Sequence, residues 1–142
     1  MKTRLIVFVA FLILSNVITG QVPDSVKFIS LRPADFQKAL QNDDRAVLID
    51  VREFFEYRKS RLHDAVNIPS SGNHEISADT LKKESSLFLY CTSGFRSKRV
   101  AKYFHDKGFL KLYSLDGGIV QWKKMGFPVD RRKIRRQGVL PQ

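Results

Sequence analysis

Short apolar runs alternate with stretches of helical periodicity through the middle of the chain. Residues 46–49 (AVLI) and 87–90 (LFLY) are apolar at every position, which is typical of a strand that is buried on both faces. Because such strands alternate here with helices, we predict an α/β fold: a single domain with a central, mainly parallel sheet and helices on both faces. The predicted strands are 26–29, 46–49, 65–68, 87–90 and 110–115. The predicted helices are one that begins at Pro33, then 53–58, 76–84, one from Ser97 to Gly108, and a last one after Gly118. In the last helix, Ile119, Trp122 and Met125 share a face.

The N-terminus has the layout of a secretory signal. Lys2 and Arg4 precede ten uninterrupted apolar residues, 5–14, and the small residue Gly20 follows. A basic start, a short apolar core and a small residue at the cut are the three parts of a signal peptide. We predict a signal peptide over 1–20 and an exported protein, periplasmic or secreted, with no stable membrane span after cleavage. A retained N-terminal anchor is the alternative, although this apolar core is about half the length that a spanning helix needs.

The remaining chain divides into a domain over residues 21–130 and a basic tail over 131–142. Cleavage would remove Lys2 and Arg4 and lower the net charge from +11 to +9. Five basic residues lie within 131–136, and a terminal run of that kind is typical of a solvated chain end. The alternative is a tail that binds a polyanion, but no aromatic residues are interleaved with the charges. Nucleic acid is therefore not a favoured partner.

Cys91 is the single cysteine in 142 residues, so no internal disulfide can form. It follows an apolar strand directly, and ligands of open α/β sheets bind at the carboxyl ends of the strands. Burial as a small apolar side chain is the structural alternative. None of His63, His74 and His105 has a metal-ligand spacing, and we predict no metal and no cofactor.

The loop that follows Cys91 has the composition of an anion-binding turn. Gly94 allows the backbone to curl, and the helix predicted from Ser97 directs its free N–H groups and its positive dipole end at the loop. Successive inward N–H groups form an anion-binding concavity, and Arg96 adds a cation. A helix N-terminus and a cation lower the pKa of a thiol below its usual value of about 8.5. We therefore predict that Cys91 is a thiolate nucleophile.

Four segments of the chain resemble the rhodanese family of sulfurtransferases over roughly residues 27–129. These are the stretch 48–52 (LIDVR) with Glu53, Glu56 and Tyr57; the stretch 65–69 (AVNIP); the loop 91–97 (CTSGFRS), which matches the family's active-site pattern C-x-x-G-x-R-S; and the stretch 115–119 (LDGGI) with Trp122, Gly126 and Pro128. The chain departs from the family where Ser60, Arg61 and Leu62 replace the usual Gly-His-Ile and where Asp64 replaces a usual glycine.

The resemblance implies a sulfurtransferase that works through a cysteine persulfide. Cys91 would take the sulfane sulfur from a small anionic donor such as thiosulfate and pass it to a thiol or cyanide acceptor; a thiol-redox protein is a further candidate partner. Arg96 would orient the donor anion, and the loop amides would bind the sulfur and the leaving anion. Asp50 and Arg52 are predicted to support the site. The loop amides belong to Thr92, Ser93, Gly94, Phe95, Arg96 and Ser97.

Two other activities fit parts of the pattern. Dual-specificity phosphatases place five residues between the loop cysteine and the arginine, whereas four separate Cys91 from Arg96 here. The shorter loop makes a pocket for one sulfur atom and not for a phosphoryl group. A rhodanese-like module without turnover, which carries sulfur or binds a partner, is the remaining alternative.

Overall fold

The computed structural model describes residues 27–134 and contains one five-stranded sheet in the order β1-β5-β4-β2-β3, with every strand pair parallel. The predicted signal peptide and residues 135–142 of the predicted tail lie outside this range. The elements in chain order are β1 (Ile29–Leu31), α1 (Pro33–Gln41), β2 (Ala46–Asp50), α2 (Phe54–Tyr57), β3 (Val66–Asn67), α3 (His74–Thr80), β4 (Ser86–Tyr90), α4 (Phe95–Asp106), β5 (Lys111–Leu115) and α5 (Gly118–Lys124).

The sheet separates two hydrophobic cores, as the apolar strands predict. In β4, which is buried at every position, Leu87 and Leu89 face the core that contains Phe104 of α4. Phe88 and Tyr90 face the opposite core, which contains Phe36 of α1 and Ile119 and Trp122 of α5. Side chains alternate across a strand, so apolar residues at successive positions require a packed layer on each face. The predicted α/β class, with helices on both faces, is confirmed.

The sheet order determines which strand ends meet. The central strand β4 pairs with β2, and Asp50 stands opposite Tyr90 at the end of that pairing. Parallel strands end at the same edge, so the segments that follow Asp50 and Tyr90 leave the sheet side by side. Cys91 is therefore next to the segment that leads into α2.

Several predicted boundaries differ from the structure. Strand β1 begins at Ile29, three residues after the predicted start. Helix α3 begins at His74 because the Asn73 side chain accepts the Glu75 N–H and caps the helix. Met125 was predicted to share the buried face of α5, and this is wrong: it lies just past the last turn of the helix and is 54% exposed.

The start of α4 is also different. This helix begins at Phe95, two residues before the predicted start at Ser97, because Gly94 adopts a left-handed conformation (φ 95°) as its N-cap. Phe95 and Arg96 therefore belong to the first turn of the helix and not to the loop. The first N–H groups of this turn have no partner within the helix, and that of Ser97 acts on the Cys91 sulfur.

The segment that departs from the family pattern is bound to the residues that follow α5. Arg61 and Asp130 form a backbone bridge with N···O distances of 2.9 and 2.7 Å, and their side chains form an ion pair at 3.0 Å. Asp64 adopts a left-handed conformation (φ 61°) at the position where the family usually has glycine. Arg132 also binds the Asp130 carboxylate, at 2.8 Å, so the start of the predicted tail is attached to the domain. No helix within residues 27–134 has the length and apolar character needed to cross a membrane.

Candidate active site

Cys91 lies at the carboxyl end of β4, beneath a loop that curls over its sulfur. Its Sγ accepts the N–H of Gly94 at 3.1 Å, and the Oγ of Ser97 is 3.8 Å away. The residue is 1% exposed. The burial expected of a structural cysteine is therefore present, but the loop also directs polar hydrogens at the sulfur.

The surroundings of the Cys91 sulfur favour its anionic form. Burial raises the pKa of the thiol, but the amides of Ser97 and Ser93, the hydroxyl of Ser97 and the amide of Gly94 act in the opposite direction, and the net result is a lowered pKa. Hydrogen bonds from peptide N–H groups stabilise the thiolate because they are formed to the charged state.

Ser97 connects the loop to the neighbouring strand. Its side chain is fully buried, and its Oγ lies 2.9 Å from the Oγ of Ser114 in β5 and 3.1 Å from the carbonyl oxygen of Gly94. The hydroxyl is therefore held beside the Cys91 sulfur by contacts to both the loop and the sheet.

Helix α5 binds the Cys91 loop through two backbone hydrogen bonds. The Ile119 N–H donates to the Cys91 carbonyl at 2.9 Å, and the Val120 N–H donates to the Thr92 carbonyl at 3.2 Å. Gly118, with φ 59°, allows this close approach: a Cβ at its position would lie 2.5 Å from the Cys91 carbonyl oxygen and from the Thr92 carbonyl group. Gly118 of the LDGGI stretch therefore allows α5 to position the backbone of the Cys91 loop.

Arg96 is paired, which the sequence did not reveal. Its Nη1 and Nη2 donate to the two carboxylate oxygens of Glu56 at 2.7 and 3.0 Å, and Nη2 also donates to the Thr92 hydroxyl at 2.9 Å. The Arg96 hydrogen bonds lower the pKa of Glu56 to about 2, so this carboxylate is charged at neutral pH. Arg96 was predicted to be a cation that orients a donor anion, and the structure shows in addition that its charge is paired with that of Glu56.

Asp50 and Arg52 form a buried ion pair at the end of β2. The Nη2 of Arg52 lies 2.6 Å from the Asp50 carboxylate and donates to the carbonyl of Ser60, also at 2.6 Å. The Asn67 side chain donates to the carbonyls of Asp50 and Arg52 at 3.0 and 2.8 Å. These contacts connect β2, β3 and the segment after α2.

Exposed aromatic residues adjoin both members of the Glu56–Arg96 pair in the chain. Phe95, adjacent to Arg96, is 75% exposed, and Phe55, adjacent to Glu56, is 59% exposed. Ser93, at the outer side of the loop, is exposed as well. Within residues 27–134 no group of His, Cys, Asp and Glu side chains has an arrangement that could hold a metal ion.

A family model for the rhodanese-like domain matches residues 32–125. The chain belongs to the rhodanese-like domain family. Among solved structures, a rhodanese-related protein from Thermoplasma volcanium superposes with a TM-score of 0.65 at 25% identity, over 74% of this chain and all of that chain. A rhodanese-like domain protein from Staphylococcus aureus has a TM-score of 0.60 at 21% identity, over 67% of this chain and 91% of that chain.

The curated relatives are longer proteins. The tRNA uridine(34) hydroxylase of Yersinia pestis is 29% identical in an alignment of length 105 that covers 68% of this chain and 30% of the relative. The protein of the same name from Hamiltonella defensa is 32% identical in an alignment of length 96 that covers 61% of this chain and 27% of the relative. The chain therefore spans less than a third of these relatives. A rhodanese-like domain supports a role related to sulfur transfer.

The structure of the rhodanese-like domain brings together Cys91, the loop amides and Arg96, while Asp50 and Arg52 lie at the adjacent strand end. Two residues at the site had no predicted role. Glu56 belongs to a capping box with Glu53, and in the sequence it was noted only within a segment that resembles the family. Gly118 was likewise noted only within the LDGGI stretch, and its contact with the Cys91 loop depends on tertiary structure.

Proposed function

We propose that this rhodanese-like domain is a sulfurtransferase that moves a sulfane sulfur from thiosulfate or a similar donor to a thiophilic acceptor, with Cys91 as the nucleophile. The observation that carries the proposal is the Cys91 sulfur under the loop, in contact with the Gly94 N–H at 3.1 Å and with a lowered pKa. A thiolate of this kind attacks sulfur without a neighbouring base.

The first step forms a persulfide. The Cys91 thiolate attacks the outer sulfur of thiosulfate, a new S–S bond forms, and the electron pair of the broken S–S bond leaves with sulfite. The outer sulfur then carries the negative charge as Cys91–S–S⁻, beside the amides of Ser93, Gly94 and Ser97. Amides already oriented towards the charge stabilise it without reorganisation.

The second step returns the thiolate. A cyanide or thiolate acceptor attacks the outer sulfur of the persulfide, and the electron pair of the S–S bond returns to Cys91. We include in the proposal an acceptor thiol on a small molecule or on a thiol-redox protein. No cofactor takes part in either step.

The burial of Cys91 favours one alternative, a sulfur carrier without turnover. A sulfur atom bound to a side chain that is 1% exposed would be shielded from acceptors. Intact-mass measurement separates the two functions. Thiosulfate should add about 32 Da, the mass of one sulfur atom, in a covalent step, and cyanide should remove it from an enzyme but not from a carrier.

The test of the proposed function is a thiosulfate-to-cyanide assay on the wild type and on Cys91→Ser, a variant of nearly the same size. We expect thiocyanate formation by the wild type and none by the variant. A wild type that gains no sulfur from any sulfane donor would refute both the enzyme and the carrier.

We also propose that the protein works after export, in the periplasm or outside the cell, because residues 1–20 have the three parts of a signal peptide. N-terminal sequencing of the protein from its native host tests this. We expect the mature chain to begin at Gln21; a chain that retains residues 1–20 would favour the anchor.

A further inference from the structure

The polar side chains beside the Cys91 loop bind one another in a closed cycle. Thr92 donates its hydroxyl to Glu56 at 2.8 Å and accepts from Arg96 at 2.9 Å, while Arg96 holds both Glu56 oxygens at 2.7 and 3.0 Å. This cycle satisfies three of the five guanidinium N–H groups of Arg96. A donor anion therefore approaches a cation that is already hydrogen-bonded to a carboxylate.

The charges of this cycle do not favour a dianion. Glu56 remains ionised far below neutral pH because its pKa is about 2, so it cancels the charge of Arg96. Glu53 also interacts electrostatically with Arg96, but more weakly than Glu56 does and without a hydrogen bond. The Cys91 thiolate contributes a further negative charge when it is ready to react.

We propose that Glu56 is a positioning residue that sets the charge selectivity of the site: by holding Arg96 and Thr92, it favours sulfane donors with one negative charge or none over dianionic donors. The inference rests on the proposed function and specifies its donor class. Phe55 and Phe95, which adjoin Glu56 and Arg96 in the chain, are exposed, and such rings are compatible with the apolar group that replaces a charged oxygen in such donors.

Two donors that differ by one charge provide the probe. Thiosulfate is a dianion, and methanethiosulfonate is a monoanion in which a methyl group replaces one oxygen. With either donor, the Cys91 thiolate forms a bond to the outer sulfur and the S–S bond of the donor breaks. The electron pair leaves on sulfite from thiosulfate and on methanesulfinate from methanethiosulfonate.

The decisive variant is Glu56→Gln, and Glu53→Gln is its matched control. Glutamine can still accept the Glu53 N–H, as a capping box requires, but it cannot neutralise Arg96. The control removes the same charge from the other end of the capping box, where the Glu53 carboxylate accepts from Ser71 at 2.8 Å and makes no hydrogen bond to Arg96.

The measurement is kcat/KM for each donor with cyanide as acceptor. Coulomb's law, for a charge about 6 Å away and an effective dielectric constant of about 40, gives about a tenfold change per unit of donor charge. We expect Glu56→Gln to raise the thiosulfate to methanethiosulfonate ratio of kcat/KM about tenfold, mainly through KM, and Glu53→Gln to change it less than about twofold. A purely structural role for Glu56 would lower both values together and leave the ratio unchanged, which would overturn the inference.

A binding measurement keeps this inference separate from the proposed function. Sulfate, an unreactive dianion, should protect Cys91 from alkylation by iodoacetamide better in Glu56→Gln than in the wild type, and this requires no turnover. Equal protection in the two proteins would refute the role of Glu56 even if sulfur transfer occurs. Stronger protection without any turnover would support the role of Glu56 in anion selection and refute the sulfurtransferase.

Discussion

Substitution of Gly118 by alanine should disrupt the Cys91 loop from outside it. The new Cβ would lie 2.5 Å from the Cys91 carbonyl oxygen and from the Thr92 carbonyl group. The atoms it meets are backbone atoms, which cannot rotate away as a flexible side chain can. The loop must therefore move away from α5, and the hydrogen bonds from Ile119 and Val120 must lengthen or break.

The expected loss of stability in Gly118→Ala has two parts. An alanine in the left-handed conformation at φ 59° is destabilised by about 1–2 kcal/mol. Loss of two backbone hydrogen bonds adds about 2 kcal/mol at about 1 kcal/mol each. We expect Gly118→Ala to lower the free energy of unfolding by about 3–4 kcal/mol.

Gly126→Ala is the matched control. Gly126 is also left-handed (φ 81°), but a Cβ at its position meets nothing within 4 Å. This variant should lose only the backbone penalty of about 1–2 kcal/mol. Any entropy effect of glycine on the unfolded chain is shared by both variants and cancels in the comparison.

Two measurements test the prediction on both variants. Urea unfolding gives the difference in stability, and the pH dependence of Cys91 alkylation by iodoacetamide gives the pKa of the thiol. We expect the pKa to rise in Gly118→Ala, because the displaced loop withdraws its N–H groups, and to be unchanged in Gly126→Ala. Equal stability loss in the two variants together with an unchanged Cys91 pKa in Gly118→Ala would show that α5 does not position the loop.

Three further outcomes are expected. Ser97→Ala should raise the pKa of the Cys91 thiol by removing a buried hydroxyl donor, and the inflection of its alkylation profile should move to higher pH; an unmoved inflection would count against this contact. Arg52→Met should lower the free energy of unfolding by about 3–5 kcal/mol in urea, because Asp50 is left buried without its cation, whereas a loss under about 1 kcal/mol would mean that Asp50 finds another partner. The pKa of Glu56 is about 2 in the folded protein, below the ordinary value of 4.5. Its contribution to the free energy of unfolding is therefore complete above about pH 4.5 and is lost as the pH falls towards 2. Glu56→Gln should reduce the acid dependence of stability in that range, and an unaltered acid dependence would contradict the pairing with Arg96.

The sequence was sufficient for the elements whose formation depends on local pattern. Residues 46–49 and 87–90 carry apolar or aromatic side chains at every position, which predicted burial on both faces and therefore a parallel sheet. Gly94 predicted a curled loop, although helix α4 begins directly after it at Phe95 and not at Ser97. The prediction for Met125 was wrong because helical periodicity was extended past the last turn of α5, where the side chain is exposed to solvent.

The α/β layers, the position of Cys91 at a strand end and the turn that follows it could be predicted from the sequence alone, since each depends on residues that are adjacent or evenly spaced. The pairing of Arg96 with Glu56 and the contact of Gly118 with the Cys91 carbonyl were decided only by the tertiary structure. Both join segments that are far apart in the chain, and they meet because the strand order places β4 between β2 and β5. Periodicity shows which side of an element is buried, but it does not specify which distant segment covers that side. It therefore could not show that the Glu56 carboxylate is paired with Arg96.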